Sequence, residues 1–281
     1  MNKSKKAFSL LELSIVLIVI SILTSIIIGS SFVINTAQLA AARNLTNSSV
    51  VNDISGLTLW LESTSLDSFD DEDIEDGDLV ENWYDISPQN LNSYIATQST
   101  SDSRPIYTKK AIGKLPGVNF DDTDDSLSIS NFNANGYITI FVVGKFTDSD
   151  FIVEHGPNAS SNDGFLFWGS NTNSAPGRVT RSSSSSITAT TQWFGNEAAI
   201  GVMRYDDSNI SYKLNDASFT NTANSSAANS IVQDSLYIGS RAGSNLFSNG
   251  SFGEIIMFDR DLTDDEVDDI VEYLNKKWQV Y

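Results

Sequence analysis

The residues able to do chemistry form five small groups. Glu12 is the one ionisable side chain in an apolar stretch running from Phe8 to Ile28. A carboxylate inside an apolar span is costly and normally has a partner. Asp121, Asp122, Asp124 and Asp125 surround Thr123 in a short loop. Four carboxylates so close repel unless screened, and calcium takes oxygen ligands of this kind. The plain alternative is a solvated turn whose Asp side chains bond their own backbone. Trp168 and Trp193 could stack on sugar rings, although a tryptophan in a β-sandwich is as often core. His155 is the sole histidine, so a Ser-His-Asp triad could pass only through it, and Gly-x-Ser-x-Gly is absent. Glu254 stands on a strand pattern with no acidic residue two or four positions away. The paired carboxylates of glycoside hydrolysis are therefore not visible along the chain, and no phosphate-binding glycine loop is present either. These absences lead to the expectation that the chain is not an enzyme and carries no certain cofactor beyond possible calcium.

The elements that must position these groups begin at the N-terminus. Met1–Ala7 is a short basic leader with Lys3, Lys5 and Lys6. The apolar stretch behind it, of about 20 residues rising ~1.5 Å each, is just long enough to cross a bilayer core of ~30 Å. The lysines should stay cytoplasmic, which sends the rest of the chain across the membrane. An ordinary signal peptide is cut after its apolar core at a small-residue site, and Ile26-Ile27-Ile28 running into Gly29 offers a poor one. Ala7 is the small residue at the junction of charge and apolar core. Cleavage between Ala7 and Phe8 would keep the hydrophobic helix in the mature protein. From Ser30 to about Val51 an Ala-rich, helix-compatible pattern continues the helix out of the membrane, and Asn44 to Ser49 mark its boundary.

Lys-Lys-Ala-Phe8-Ser-Leu-Leu-Glu12-Leu and the following span resemble the class III signal of type IV prepilins. The resemblance implies a prepilin peptidase that cuts before Phe8 and methylates the new N-terminus. It makes Glu12 the fifth mature residue, which pairs in assembly with the Phe8 amine of a neighbouring subunit. The sequence departs from the family at Ala7, where Gly is usual, and at Gly29, where a Pro is common. Implied partners are the peptidase, other pilin subunits and, before assembly, the inner membrane. The plain alternative is the signal anchor of a surface protein.

The composition of the whole 281-residue chain bounds the rest. A net charge of −19 argues against nucleic acid, whose phosphates would be repelled. With no cysteine, neither disulfide nor Cys-based metal site is available. From about Ile54, short β-like runs such as Leu57–Leu61, Tyr137–Val143, Gly164–Trp168, Ala198–Met203 and Glu254–Phe258 alternate with Ser, Asn, Asp and Gly clusters. That texture indicates a two-sheet sandwich or barrel. The Ser182–Ser186 run and Thr220–Ser230 read as loops. The acidic stretch Asp67–Asp78 reads as a solvated loop, since Asp76 holds the place where an EF-hand requires Gly. Thr263-Asp-Asp-Glu266 is a capping box. It opens a helix whose Val267, Ile270, Val271, Leu274 and Trp278 share one face and whose Lys276 and Lys277 complement the C-terminal dipole.

Leu57-Thr-Leu-Trp-Leu-Glu with Trp83–Ser87, Gly117–Leu127, and Gly253–Thr263 with the closing helix resemble bacterial laminin-G-like, concanavalin A-like jelly-roll domains. That family implies carbohydrate or protein-surface binding, often with calcium, and includes glycoside hydrolases. The expected architecture is mainly β. Residues 1–7 are a leader, and 8–53 a long transmembrane and amphipathic α-helix with 8–29 membrane-spanning. Residues 54–281 are a jelly roll with a short C-terminal helix. The expected function is a minor or tip type IV pilin-like subunit whose head binds carbohydrate or surface protein. It would sit in the inner membrane as a precursor and then in a surface pilus or periplasmic pseudopilus. The alternatives are a secretion pseudopilin or priming subunit with a non-binding head, and a membrane-anchored glycoside hydrolase.

Overall fold

The computed structural model describes residues 13, 14, 16, 17, 20, 35–71, 73–89, 94–134, 136–147, 151–156, 163–169, 176–181, 183–186, 197–206, 208–223 and 233–281. The chain forms two compact units, Met1–Ala41 and Ala42–Tyr281. In the first, Leu13, Ser14, Val16, Leu17 and Ile20 are helical, and the four apolar members are exposed. Among the described residues, no helix is long and apolar enough to cross a membrane. Most of the expected span, Phe8–Ile28, lies outside the described residues. Residues 35–47 are helical and are called α1.

The second unit is a β-sandwich closed by one helix. Its strands are β1 (Leu57–Glu62), β2 (Asn82–Tyr84), β3 (Ile95–Thr97), β4 (Ile106–Ile112), β5 (Leu115–Asp121) and β6 (Leu127–Phe132). Next come β7 (Ile138–Phe146), β8 (Phe151–His155), β9 (Gly164–Trp168), β10 (Gly177–Arg181) and β11 (Ser183–Ser186). The last are β12 (Ala198–Tyr205), β13 (Asn209–Leu214), β14 (Thr220–Ala223), β15 (Asp234–Ile238) and β16 (Asn249–Phe258). One sheet runs β14-β13-β12-β7-β16-β5-β4, with β1 also on β16; the other runs β11-β10-β9-β8-β15-β6-β3-β2. Helix α2 (Asp264–Trp278) follows.

The three layers follow from strand periodicity. Successive side chains of a strand point to opposite faces. In β7, Ile138, Ile140 and Val142 enter the core between the sheets, while Phe141 and Val143 enter the core beneath α2. β1 divides likewise, with Leu59 and Leu61 on one side and Leu57 and Trp60 on the other. A strand buried on both faces reads as a continuous apolar run, which is what β7 shows. The expected stripe of α2 is buried as read, and the Thr263–Glu266 capping box is present in both directions. The five residues of that stripe bury, at ~1.5–3 kcal/mol each, about 10 kcal/mol of apolar transfer free energy as an upper bound.

Two sequence expectations are corrected. Ser183–Ser186 is strand β11, not loop, paired through its backbone with Arg178–Arg181. Thr220–Ala223 is strand β14, paired with β13. Both are polar sheet edges, where one strand's backbone recruits the next and no apolar alternation is needed. The β-rich unit also takes in the end of α1. Ala42 and Val51 are buried in the core beneath α2, and Leu45 packs against it.

Candidate functional site

Three places carry functional chemistry. The first is the N-terminus, and Ala7, Phe8 and Glu12 lie outside the described residues.

The second is the turn between β5 and β6. Asp121 ends β5, and its carboxylate accepts the Thr123 N–H at 2.9 Å. Asp122 takes the left-handed position of the turn, with φ 67°. Its N–H bonds the Ser248 carbonyl, which ties the turn to the segment before β16. Oxygens of Asp121, Asp124 and Asp125 lie within 4.8 Å of one another. Asp122 is not in that group, so the turn gathers three of the four carboxylates picked out in the sequence. Asp125 is buried and accepts the Asp121 N–H at 3.0 Å. Burial, with Asp121 and then Asp124 adding repulsion, pushes its carboxyl up to about 6 despite the Asp121 N–H holding it down. Ser103 donates to Asp124 at 2.9 Å. The donor set is all oxygen and suits a hard cation.

The third is the outer face of the β8–β9 sheet. Trp168 ends β9 opposite Phe151 of β8, and the two rings lie 5.1 Å apart at 30°. The Arg241 guanidinium stands 4.5 Å over the other partner, Phe151. Its Nε is 3.7 Å from Glu154, whose second oxygen accepts the Ala242 N–H at 3.0 Å. Tyr237 of β15 is opposite Glu154. Trp168 is half-buried, and its indole N–H has no hydrogen-bond partner among the described residues. The face thus joins a partly open aromatic ring to the half-buried Arg241 guanidinium, groups that can stack on a sugar ring and donate to its hydroxyls, while Glu154 is fully buried behind the guanidinium. Sequence reading found Trp168 and missed Phe151, Glu154 and Arg241. The signal was a charge inside the apolar run Phe151–His155. Trp193 lies outside the described residues.

The other candidates are structural. His155 is fully buried, stacked on Phe165 at 5.3 Å and 13°, with Nε2 3.3 Å from the Phe132 carbonyl. Burial pushes its pKa down from the ordinary imidazole value, as befits a core side chain. Glu254 does have an acidic neighbour: Glu62, directly opposite on β1. Both are fully covered, and Lys277 lies 3.1 Å from Glu62 and 2.9 Å from Glu254. In the acidic loop, Asp70 accepts from Asn82 at 2.9 Å and from Tyr84 at 2.5 Å. A cavity of about 330 Å³ beside it is lined by Phe69, Ile74, Leu79 and Val80 with Asp70, Asp71, Asp78 and Glu81.

Residues 2–28 match the prokaryotic N-terminal methylation motif. The motif implies a prepilin-like, membrane-anchored precursor, processed by a prepilin peptidase and assembled with other pilins. No curated protein sequence matches the chain. Among solved structures, the fold is similar to Trypanosoma rangeli sialidase in complex with the inhibitor DANA, at TM-score 0.50 and 12% identity. That match covers 78% of this chain and 33% of the sialidase. It is also similar to a mutant GH54 α-L-arabinofuranosidase soaked with 4-nitrophenyl α-L-arabinofuranoside, at TM-score 0.50 and 11% identity. There it covers 71% of this chain and 51% of the enzyme. The chain therefore spans about a third of the length of the sialidase it matches. These comparisons correct the expectation of a non-enzymatic chain, because the two structures named are of a sialidase and an arabinofuranosidase. At such identities the likeness shows the fold alone.

Proposed function

We propose that this chain is a type IV pilin-like subunit, minor or tip, whose β-sandwich head engages carbohydrate or a glycosylated surface protein. The observation that carries the filament half is the methylation motif over residues 2–28. In this reading residues 1–7 are the leader, cleavage falls between Ala7 and Phe8, and Phe8 is methylated. Glu12 pairs with a neighbouring subunit's N-terminus, since a carboxylate in an apolar span requires a partner. The exposed helical Leu13, Val16, Leu17 and Ile20 are of the type that lipid and then sister helices would cover.

The head half is supported by the Trp168–Phe151–Arg241 face and by the two-sheet β-sandwich that carries it. Asp121, Asp124 and Asp125 would take calcium, and Trp193 is a further stacking residue of the proposal. N-terminal mass analysis of envelope protein tests the filament half: a chain beginning at methylated Phe8 supports it, and one lacking residues 8–28 overturns it. Glycan-array binding by the full chain in detergent, with and without calcium, tests the head. Retained glycans support the reading, and no binding under either condition leaves the head a spacer in a pilus or secretion pseudopilus. Release of sugar from a bound glycan would show catalysis by the head.

A further inference from the structure

Lys277, Glu62 and Glu254 form a buried ionic cluster. The Lys277 ammonium has three hydrogens to donate. It meets Glu254 at 2.9 Å, Glu62 at 3.1 Å and the Thr46 hydroxyl at 2.8 Å. Glu254 also accepts from the Trp60 indole at 2.7 Å, the Tyr273 hydroxyl at 2.8 Å and the Trp278 indole at 2.7 Å. Glu62 accepts from the hydroxyls of Thr46 at 3.0 Å and Thr64 at 2.7 Å, and from the Thr64 N–H. The cluster therefore draws on the end of α1, β1 and the segment after it, β16 and α2.

Two acids and one base are buried together, and burying charges costs several kcal/mol per ion before pairing repays it. Apolar side chains of the same volume would often hold such a core as well or better. What a saturated polar network adds is selection of one arrangement, because any other leaves a buried donor or acceptor unpaired. Here the member contributed by α1 is Thr46. Its hydroxyl both gives to Glu62 and receives from Lys277, and Arg43 one turn earlier donates to the Thr64 carbonyl at 2.6 Å.

We infer that the Glu62–Glu254–Lys277 cluster is a lock that seats the end of α1 in one position on the head, so that tension on the helix passes into β1 and β16. The load-bearing part rests on the filament reading above; the lock itself does not. Thr46→Val removes the hydroxyl and keeps the shape, and Thr46→Ser restores it.

Hydrogen exchange on the full chain in detergent reads the lock. Thr46→Val is expected to speed exchange of amides 42–53 about tenfold while those of β7 and β12 stay as they are. Thr46→Ser should return wild-type exchange. Unchanged rates over 42–53, or a parallel rise throughout the head, overturns the lock. Single-molecule pulling between residue 36 and the C-terminus reads the load. The wild type is expected to open with the sheet in one step, and Thr46→Val to release 42–53 first at lower force. Identical one-step traces overturn the load-bearing role. Neither readout requires a filament, so failure here is separate from failure of the filament reading, which N-terminal mass decides.

Discussion

Asp85 is held from one side only. Its Oδ1 accepts the Trp60 and Ser87 N–H groups at 2.9 Å each, and its buried Oδ2 has no partner among the described residues. Burial raises its carboxyl from 3.8 to about 6, with the Ser87 and Trp60 N–H groups opposing the rise. An acid whose folded pKa lies above its unfolded value binds protons better when folded. Its contribution is fully present below about 4 and is lost as pH rises through about 6. Asp125, also pushed up to about 6, acts in the same direction. Denaturant midpoints measured between pH 4 and 7 should therefore fall with rising pH in this window. Asp85→Asn should flatten part of that slope, worth at most about 3 kcal/mol for a shift of roughly two units. A slope that survives Asp85→Asn unchanged would place the titration elsewhere. Trp168 belongs to the same scale. Removing its ring deletes one stacking surface, and Trp168→Ala should weaken glycan binding about tenfold while shifting the melting temperature little. Equal affinity in titration calorimetry would move the binding face away from β9.

Where the head begins is an element-level question, and its answer separates what the sequence discloses from what it hides. Composition changes at Ile54, yet Ala42, Thr46, Ser49 and Val51 are buried in the β-rich unit. A fragment of residues 54–281 exposes the core beneath α2 and strips Thr46 from Lys277. It should unfold at a lower temperature than one of residues 42–281, by a destabilisation of about 3–5 kcal/mol summed from lost apolar burial and an unpaired buried donor. Equal melts would mean that the end of α1 only rests on the sandwich. The capping box of α2 is legible because all its parts lie within four residues, and its apolar stripe because the helical period displays it. The same reading assigns Lys277 to the helix dipole, whereas it is fully buried. Its partners come from positions 46, 62 and 254, and no local pattern links them. Glu254 fails in the same way: its acidic neighbour is adjacent across a ladder rather than along a strand. Trp168 is legible as a type, and its setting is not, because Phe151 and Arg241 reach it only through sheet pairing and the loop after β15. Strand β11 shows the opposite limit, a run of serines with no side-chain pattern, ordered by its neighbour's backbone.

Across the whole molecule the dominant electrostatic fact is a formal charge of −19, made larger in magnitude if cleavage removes the three leader lysines. Net charge of this size keeps a displayed head soluble and costs it self-repulsion. Much of the acid is answered locally, as in the Arg260–Glu266 pair, where the guanidinium pulls the Glu266 carboxyl down to about 2. Among the described residues the Asp121–Asp124–Asp125 group has no cationic partner, only the Ser103 hydroxyl and its own backbone. A divalent ion there would relieve repulsion that the fold otherwise carries, and binding would have to displace the proton that Asp125 holds up to about 6. Calcium should therefore raise the melting temperature against a chelator control, more at pH 7.5 than at pH 5.5. At a hundredfold excess over its dissociation constant the stabilisation should approach ~2.7 kcal/mol. Asp125→Asn should abolish the response while an equal ionic strength of sodium chloride leaves it in place, because screening acts on all surface acids and ligation acts on these three. If calcium and sodium chloride act alike, or if Asp125→Asn responds as the wild type does, the turn is a solvated Asx turn and the head's binding face works without a metal.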